Sequence, residues 1–231
     1  MESEGNSIMV APRATQRRLV SEFMGTAILL LAVVGSGIQA TLLSPHDIGL
    51  ELLENALATA AILLLIITIF AKESGAHFNP LVTALSAIKG QLTWGQATVQ
   101  MFIQFAGAIG GTIAANAIFG VPNVAFSTHV RQSTPHFFSE VIATFLLIMV
   151  IELSGKTYDA RATPALIAAL IGAAYFFTSS TSFANPAAAI GRMFTTSFAG
   201  ISPSSTISFI LAQIIGAIAA YLFSTLFTNK G

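Results

Sequence analysis

Cysteine is absent from this chain, and charged side chains make up only 9% of its 231 residues. Without cysteine there is no disulfide, no thiol nucleophile and no thiolate metal site. A typical soluble domain is about 25% charged, so this composition indicates a protein embedded in lipid. The formal net charge is zero, and a neutral chain gives no reason to expect a nucleic-acid partner.

Hydrophobic residues form 54% of the chain and give it a mean hydropathy of +0.78. They fall into long apolar runs, each near the ~20 residues that a helix needs to cross a bilayer. We predict an all-α membrane protein with a polar tail at 1–17 and a single domain at 18–231. The first run is long enough to span, which argues against a cleaved signal peptide. The predicted spanning helices are roughly 19–42, 49–71, 95–119, 136–154, 163–179 and 206–228.

The basic residues predict how the chain is oriented. With the N-terminus inside, only Arg131 and Arg192 fall on the outer side. An excess of Lys and Arg marks cytoplasmic loops. We therefore expect a multi-pass protein of the cell inner (plasma) membrane with both termini in the cytoplasm. The predicted cytoplasmic residues are Arg13, Arg17, Arg18, Lys72, Lys89, Lys156, Arg161 and Lys230.

Two shorter apolar segments each contain an Asn-Pro pair near their start, at Asn79 and Asn185. Asparagine is a favoured N-cap, and proline is favoured at the first helical position. About ten residues of helix rise roughly 15 Å, half of a bilayer core of about 30 Å. We predict half-helices at about 79–89 and 185–195. Paired short, Pro-interrupted segments point to a pore or binding site near the midplane.

The two halves of the chain, about 18–119 and 136–228, repeat each other. The run Glu22-Phe-Met-Gly-Thr-Ala-Ile-Leu-Leu30 matches Glu140-Val-Ile-Ala-Thr-Phe-Leu-Leu-Ile148, and Gln104 and Gln213 begin a second matching pair. Polar residues are rare inside spans, so chance similarity is a poor explanation. Three spans per half give the copies opposite topology, so the half-helices enter from opposite sides and meet in the middle.

The two asparagines offer chemistry at this meeting point. Each carboxamide oxygen of Asn79 and Asn185 caps its own helix, which leaves the amide NH2 to donate into the lumen. Each helix N-terminus also carries roughly +0.5 of an elementary charge. A positive midpoint passes neutral hydrogen-bonding solutes and opposes cations and protons. The alternative is that both residues only cap re-entrant turns.

These segments carry a family resemblance. Asn79-Pro80-Leu81 and Asn185-Pro186-Ala187 resemble the paired Asn-Pro-Ala boxes of the aquaporin and aquaglyceroporin (major intrinsic protein) family. The resemblance runs from Glu22 to Phe227. It implies six spanning helices and two re-entrant half-helices around one pore per chain, in a homotetramer surrounded by membrane lipid. No cofactor and no metal are expected.

The resemblance also implies roles for polar residues near the boxes. Glu22 and Glu140 are expected to accept backbone N–H groups of the two re-entrant loops. A proton relay is the alternative, although no chain of titratable residues continues from either acid. His77 either lines the cytoplasmic vestibule and responds to pH or is a hydrogen-bonded packing residue.

The sequence departs from the family where the outer constriction is expected. Counting from the boxes assigns that constriction to Thr59, Ala173, Ser182 and Ala188. All four are small, and Ala188 stands where family members usually have an arginine. The constriction should therefore be wider and less polar than in a water-only channel. Leu81 replaces the usual alanine of the first box, and we expect it to narrow or reshape the wall.

Arg192 lies four residues beyond Ala188, which is one helical turn further along the same face. It either supplies a displaced positive charge at the outer mouth or binds loop carbonyls at the helix end. The run from Phe183 to Pro203 is similar to a bacterial branch of the family that has no filter arginine. Some of that branch is associated with metalloid resistance.

These features predict a passive channel for small neutral solutes: glycerol-like polyols, neutral metalloid hydroxides such as arsenious acid, and water. A water-selective channel is the alternative and would need a further aromatic residue, Tyr175 or Phe183, at the constriction. An intramembrane enzyme is disfavoured, because His77 and His136 lie on different segments and no Gly-x-Ser-x-Gly motif is present. No Gly-rich loop ending in Gly-Lys-Ser/Thr is present for ATP. Flux driven against a gradient by ions would identify a coupled transporter.

Overall fold

A computed structural model describes residues 12–122, 124–157 and 161–227. Over this part of the chain there are eight α-helices, as the all-α prediction required. A short 3-10 turn, Arg192–Phe194, follows the seventh helix. The helices are α1 Pro12–Leu43, α2 Ile48–Ser74, α3 Pro80–Ile88, α4 Trp94–Ile118, α5 Thr134–Thr157, α6 Thr163–Phe177, α7 Pro186–Gly191 and α8 Pro203–Thr225.

Five of the helices in the described ranges are long and apolar enough to cross a membrane: α1, α2, α4, α5 and α8. Helix α6 has 15 residues and so rises about 22 Å, most of a bilayer core. Helix α1 begins earlier than predicted, since arginine, alanine and glutamine favour a helix and Pro12 suits its first position. The predicted tail is therefore helical from residue 12, and residues 1–11 lie outside the described ranges. The molecule is a multi-pass membrane protein.

The repeat seen in the sequence is also a repeat in the fold. Helices α1 and α4 pack together in the first half, as α5 and α8 do in the second. Both contacts depend on glycine. A Cβ on Gly111 would lie 2.1 Å from the carbonyl oxygen of Ala27, and a Cβ on Gly216 would lie 2.3 Å from that of Val141. Only a residue without a side chain allows backbones to approach this closely.

The two half-helices are short and lie inside the helix bundle. Helix α3 has nine residues and α7 has six, so each is shorter than half a bilayer core. They contact each other, and each also packs on α4 and α8. The second predicted half-helix, 185–195, is α-helical only as far as Gly191 and tightens into the 3-10 turn beyond it. The N-termini of α3 and α7 therefore meet in the interior.

Candidate functional site

The two asparagines cap their helices and also tie the helices to each other. The Asn79 Oδ1 accepts the backbone N–H of Leu81 at 3.0 Å, and the Asn185 Oδ1 accepts that of Ala187 at 2.9 Å. The free amides then cross over. Asn79 Nδ2 donates to the carbonyl of Ala184, and Asn185 Nδ2 donates to the carbonyl of Phe78, both at 2.8 Å. The second hydrogen of each NH2 group is still available to a solute.

The acceptors of this cross-link are in an unusual backbone conformation. Phe78 and Ala184, the residues just before the two asparagines, each have φ of +48°. A positive φ is costly for a residue with a side chain and persists only where the surroundings enforce it. Two buried glutamates hold these residues in place by accepting hydrogen bonds from their backbone N–H groups.

Glu22 accepts the N–H groups of His77 at 2.9 Å and Phe78 at 2.8 Å. Glu140 accepts those of Phe183 and Ala184, both at 2.9 Å. Both carboxylates are fully buried, and hydrogen bonds to an ionised acceptor are about twice as strong as neutral ones.

Each carboxylate also accepts a hydrogen bond from a glutamine on the neighbouring helix. Gln104 donates to Glu22 at 2.7 Å, and Gln213 donates to Glu140 at 2.6 Å. Glu140 also accepts the hydroxyl of Ser180 at 2.6 Å. The repeat therefore builds the same loop-holding arrangement twice, with a carboxylate from the first helix of each half and an amide from the last.

A cavity of about 400 Å³ runs past the two asparagines, from Arg192 at one end to Lys89 at the other. We call these ends the Arg192 mouth and the Lys89 mouth. A volume of about 10–15 Å³ on this measure holds one water, so the cavity has room for a chain of waters or small solutes. Its wall is mostly apolar. Beside the two asparagines, the residues predicted for the site that line the cavity are Thr59, His77, Ser182, Ala188 and Arg192.

Two predicted wall residues are not in the wall. The assignment of Ala173 to the constriction is wrong, because Ala173 is exposed on the outer side of α6. Ile167, Ile171 and Tyr175, spaced four residues apart, form the stripe of α6 that faces the cavity. Ala173 lies two residues from that stripe, about 200° around the helix. Counting from the box missed this, because the packing of α6 on α2 and α5 sets which of its faces meets the cavity.

Leu81 does not line the cavity either, so the expectation that it reshapes the wall is also wrong. Its backbone N–H is bound to the Asn79 cap, and its side chain is only partly buried. The remaining box residues, Pro80, Pro186 and Ala187, are buried behind the wall, where they shape the helix starts.

His77 lines the cavity and is also firmly bonded. Its Nδ1 lies 3.1 Å from the Thr83 hydroxyl and 3.0 Å from Nε2 of Gln100, and its Nε2 lies 3.2 Å from the Ser86 hydroxyl. These three contacts fix the orientation of the ring. The ring is therefore a hydrogen-bonded packing residue with one edge on the cavity, and a response to pH stays a prediction.

Arg192 is 3% exposed and lies in the wall at its own mouth. Its guanidinium stacks 3.5 Å above the ring centroid of Phe183, and its Nε donates to the carbonyl of Ala199. Arg131 donates to the two flanking carbonyls, Gly200 at 3.0 Å and Phe198 at 2.9 Å. Two arginines thus hold three consecutive carbonyls. Burial lowers the pKa of Arg131, but arginine remains charged in proteins.

The sequence named Tyr175 only for the water-selective alternative, and it did not predict the pairing of Lys89 with Glu152. Tyr175 hydrogen-bonds Thr59 at 3.1 Å, which joins α6 to α2 across the cavity wall. Lys89 and Glu152 form an ion pair at the Lys89 mouth, with Nζ 2.9 Å from Oε1. Glu152 was detectable, because an acidic residue inside an apolar run is rare and usually faces a partner or a cavity.

Comparison with known proteins gives a consistent result. The model of the major intrinsic protein family matches residues 9–183. The chain is 44% identical over 204 residues to aquaglyceroporin AqpS of Rhizobium meliloti, covering 88% of this chain and 87% of the relative. It is 30% identical over 193 residues to a glycerol uptake facilitator protein of Streptococcus pneumoniae, covering 75% and 80%.

A solved structure shares the fold. The aquaglyceroporin from Plasmodium falciparum superposes with a TM-score of 0.69 at 20% identity, over 93% of this chain and 96% of that one. The family match covers more than half of the chain, and the AqpS match covers nearly all of it. This chain therefore belongs to the major intrinsic protein family of membrane channels and is a channel, not an enzyme.

Proposed function

We propose that this protein conducts small neutral solutes passively and in both directions, with glycerol-like polyols as the principal class and water beside them. The observation that carries the proposal is the reciprocal bonding of Asn79 and Asn185 at the midpoint of a continuous cavity. Each amide keeps one N–H for a solute hydroxyl, while apolar walls hold the carbon side of a polyol. Two similar proteins, an aquaglyceroporin and a glycerol uptake facilitator, support the substrate class.

Charge is the basis of selectivity in this proposal. The N-termini of α3 and α7 meet at the midpoint, and each carries roughly half a positive charge. Arg192 adds a full positive charge in the wall. A cation entering a cavity of low dielectric constant would meet this charge unscreened. Neutral species, including metalloid hydroxides such as arsenious acid, would not be repelled by this charge.

Small residues at the Arg192 mouth favour solutes larger than water. Ser182 and Ala188 line the wall at the positions where the sequence departs from the family. The displaced charge of Arg192 leaves the space beside Ala188 open, because its guanidinium is drawn onto Phe183. We assign Arg192 the role of the filter cation, one helical turn beyond Ala188, the position where family members usually have an arginine.

The Lys and Arg distribution supports a plasma-membrane channel with both termini in the cytoplasm. In that orientation the Lys89 mouth opens to the cytoplasm and the Arg192 mouth to the outside. The outer faces of the helices are apolar, with Leu57, Phe102 and Ile218 all more than half exposed. Those faces suit contact with lipid and with further copies of the chain in a homotetramer.

The test is flux into proteoliposomes, measured by stopped-flow light scattering for water and glycerol and by a pH dye for protons. Arg192→Ala should keep glycerol flux and raise proton or sodium leak. A barrier lowered by about 1.4 kcal/mol would raise the leak tenfold. Arg192→Lys keeps the charge and should leak little, and Arg13→Ala, on the exposed start of α1, should change nothing. An Arg192→Ala protein that is as tight as its parent removes Arg192 from the filter.

A water-selective channel is the second candidate, because Tyr175 and Phe183, the aromatic residues that it would need at the constriction, both line the cavity. Their rings narrow the wall where the small residues would widen it. The same proteoliposomes separate the two functions. Rapid swelling in water together with glycerol flux no faster than in empty vesicles would favour the water channel and refute the broader one.

A further inference from the structure

The charged residues that line the cavity, within the described ranges, are Arg192 at one mouth and the pair Lys89 and Glu152 at the other. The pair is close and two-pronged: Lys89 Nζ donates to Glu152 Oε1 at 2.9 Å and to Oε2 at 3.1 Å. It joins the end of half-helix α3 to spanning helix α5. The proposed midpoint and filter do not use it.

Stability alone is a weak reason for such a pair. An ion pair whose amine is a third exposed contributes little to stability, because solvent screens the attraction and ordering a long lysine side chain costs entropy. The neighbouring wall residues Leu85, Ile151 and Ile167 are apolar, so an apolar pair would pack there. The Glu152 side chain is 5% exposed and the Lys89 side chain is 34% exposed. The carboxylate of the pair is therefore held inside the protein, while its ammonium group is accessible from the cavity mouth.

The pair has hydrogen-bonding capacity to spare. An ammonium has three donors and a carboxylate has about four acceptor positions, and their mutual contacts use two of each. Ser86 and Gln91 line the same mouth and add neutral polar groups. Since the charges cancel, neither an anion nor a cation gains from the site as a whole. A neutral solute with adjacent hydroxyls gains from both, because one hydroxyl accepts from the amine while the next donates to the acid.

We propose that Lys89 and Glu152 form a second solute-binding site, at the mouth opposite Arg192, for neutral polyhydroxylated molecules. The inference rests on the proposed function, because it needs such solutes in the cavity. A few convergent polar groups on an apolar wall are the usual construction of a small-molecule site. The site holds a polyol as it enters or leaves and lets water pass unheld.

The experiment is the concentration dependence of glycerol flux in proteoliposomes, with water permeability and thermal unfolding measured on the same preparations. In the double variant Lys89→Met with Glu152→Met, the half-saturating glycerol concentration should rise about tenfold or more, the loss expected for one hydrogen bond to a charged group. Water permeability should stay within twofold. The matched control is Lys72→Met with Glu73→Met, which removes the same charges from the exposed end of α2 and should leave the parent value unchanged.

The outcomes separate this inference from the function beneath it. A parent protein that conducts no glycerol overturns both. A parent that conducts glycerol, with a double variant of the same half-saturation, overturns the second site alone. If the double variant loses water and glycerol flux together with thermal stability, the pair is a clamp between α3 and α5, and the binding site is refuted. Retained water flux and weakened glycerol saturation support it.

Discussion

The substitution Glu140→Gln tests whether a buried carboxylate holds the second re-entrant loop. Glu140 accepts four hydrogen bonds, from the Ser180 hydroxyl, the Phe183 and Ala184 N–H groups and the Gln213 amide, all at 2.6–2.9 Å. Glutamine has the same shape but one acceptor oxygen. Its NH2 group must therefore face donors that the carboxylate bound.

The magnitude follows from which donors can adapt. Gln213 can turn its amide over, because its own oxygen has no partner among the described residues, and it would then accept from the new NH2. The Ala184 N–H cannot move in this way. Leaving one buried N–H unpaired costs about 1–3 kcal/mol, and the remaining bonds each lose about 1 kcal/mol when their acceptor becomes neutral. We expect a total loss of roughly 3–5 kcal/mol of stability.

The consequence for flux follows from position. The Ala184 carbonyl accepts the amide of Asn79, so a loosened Ala184 disturbs both boxes. Thermal unfolding of purified Glu140→Gln in detergent should show the loss, and proteoliposomes should show reduced glycerol and water flux. Glu73→Gln, on the exposed end of α2, is the control for removing one carboxylate. A Glu140→Gln protein as stable and as conductive as Glu73→Gln would refute the loop-holding role.

Two further substitutions test the packing and the wall. Gly111→Ala would place a Cβ 2.1 Å from the Ala27 carbonyl oxygen and should lower the unfolding temperature. Gly110→Ala, where the nearest atom is 4.0 Å away, should be neutral or slightly stabilising. Equal shifts of the unfolding temperature in the two variants would contradict this. Tyr175→Phe removes the hydrogen bond to Thr59 that ties α6 to α2. Without that bond the ring can move aside, and the ratio of glycerol flux to water flux should rise severalfold. An unchanged ratio would exclude Tyr175 from the constriction.

Much of the architecture can be predicted from short segments of the sequence. Apolar length predicts the spanning helices, because a bilayer core fixes how many residues must be apolar. Asn79 and Asn185 mark their helix starts, because capping depends only on residues two or three positions away. The matching of Glu22 with Glu140 gives the inverted repeat, since an acid inside a span needs a reason to be there.

Tertiary structure alone decided which side chains share the lumen. Counting along the chain selected Ala173 and left Tyr175 to the water-selective alternative, because the orientation of α6 depends on how it packs on α2 and α5. It left Arg192 between two roles, and the stacking on Phe183 sets its position. Lys89 and Glu152 are 63 residues apart, and no local pattern links them. A wall built from many segments is a property of their packing, which periodicity within any one segment does not encode.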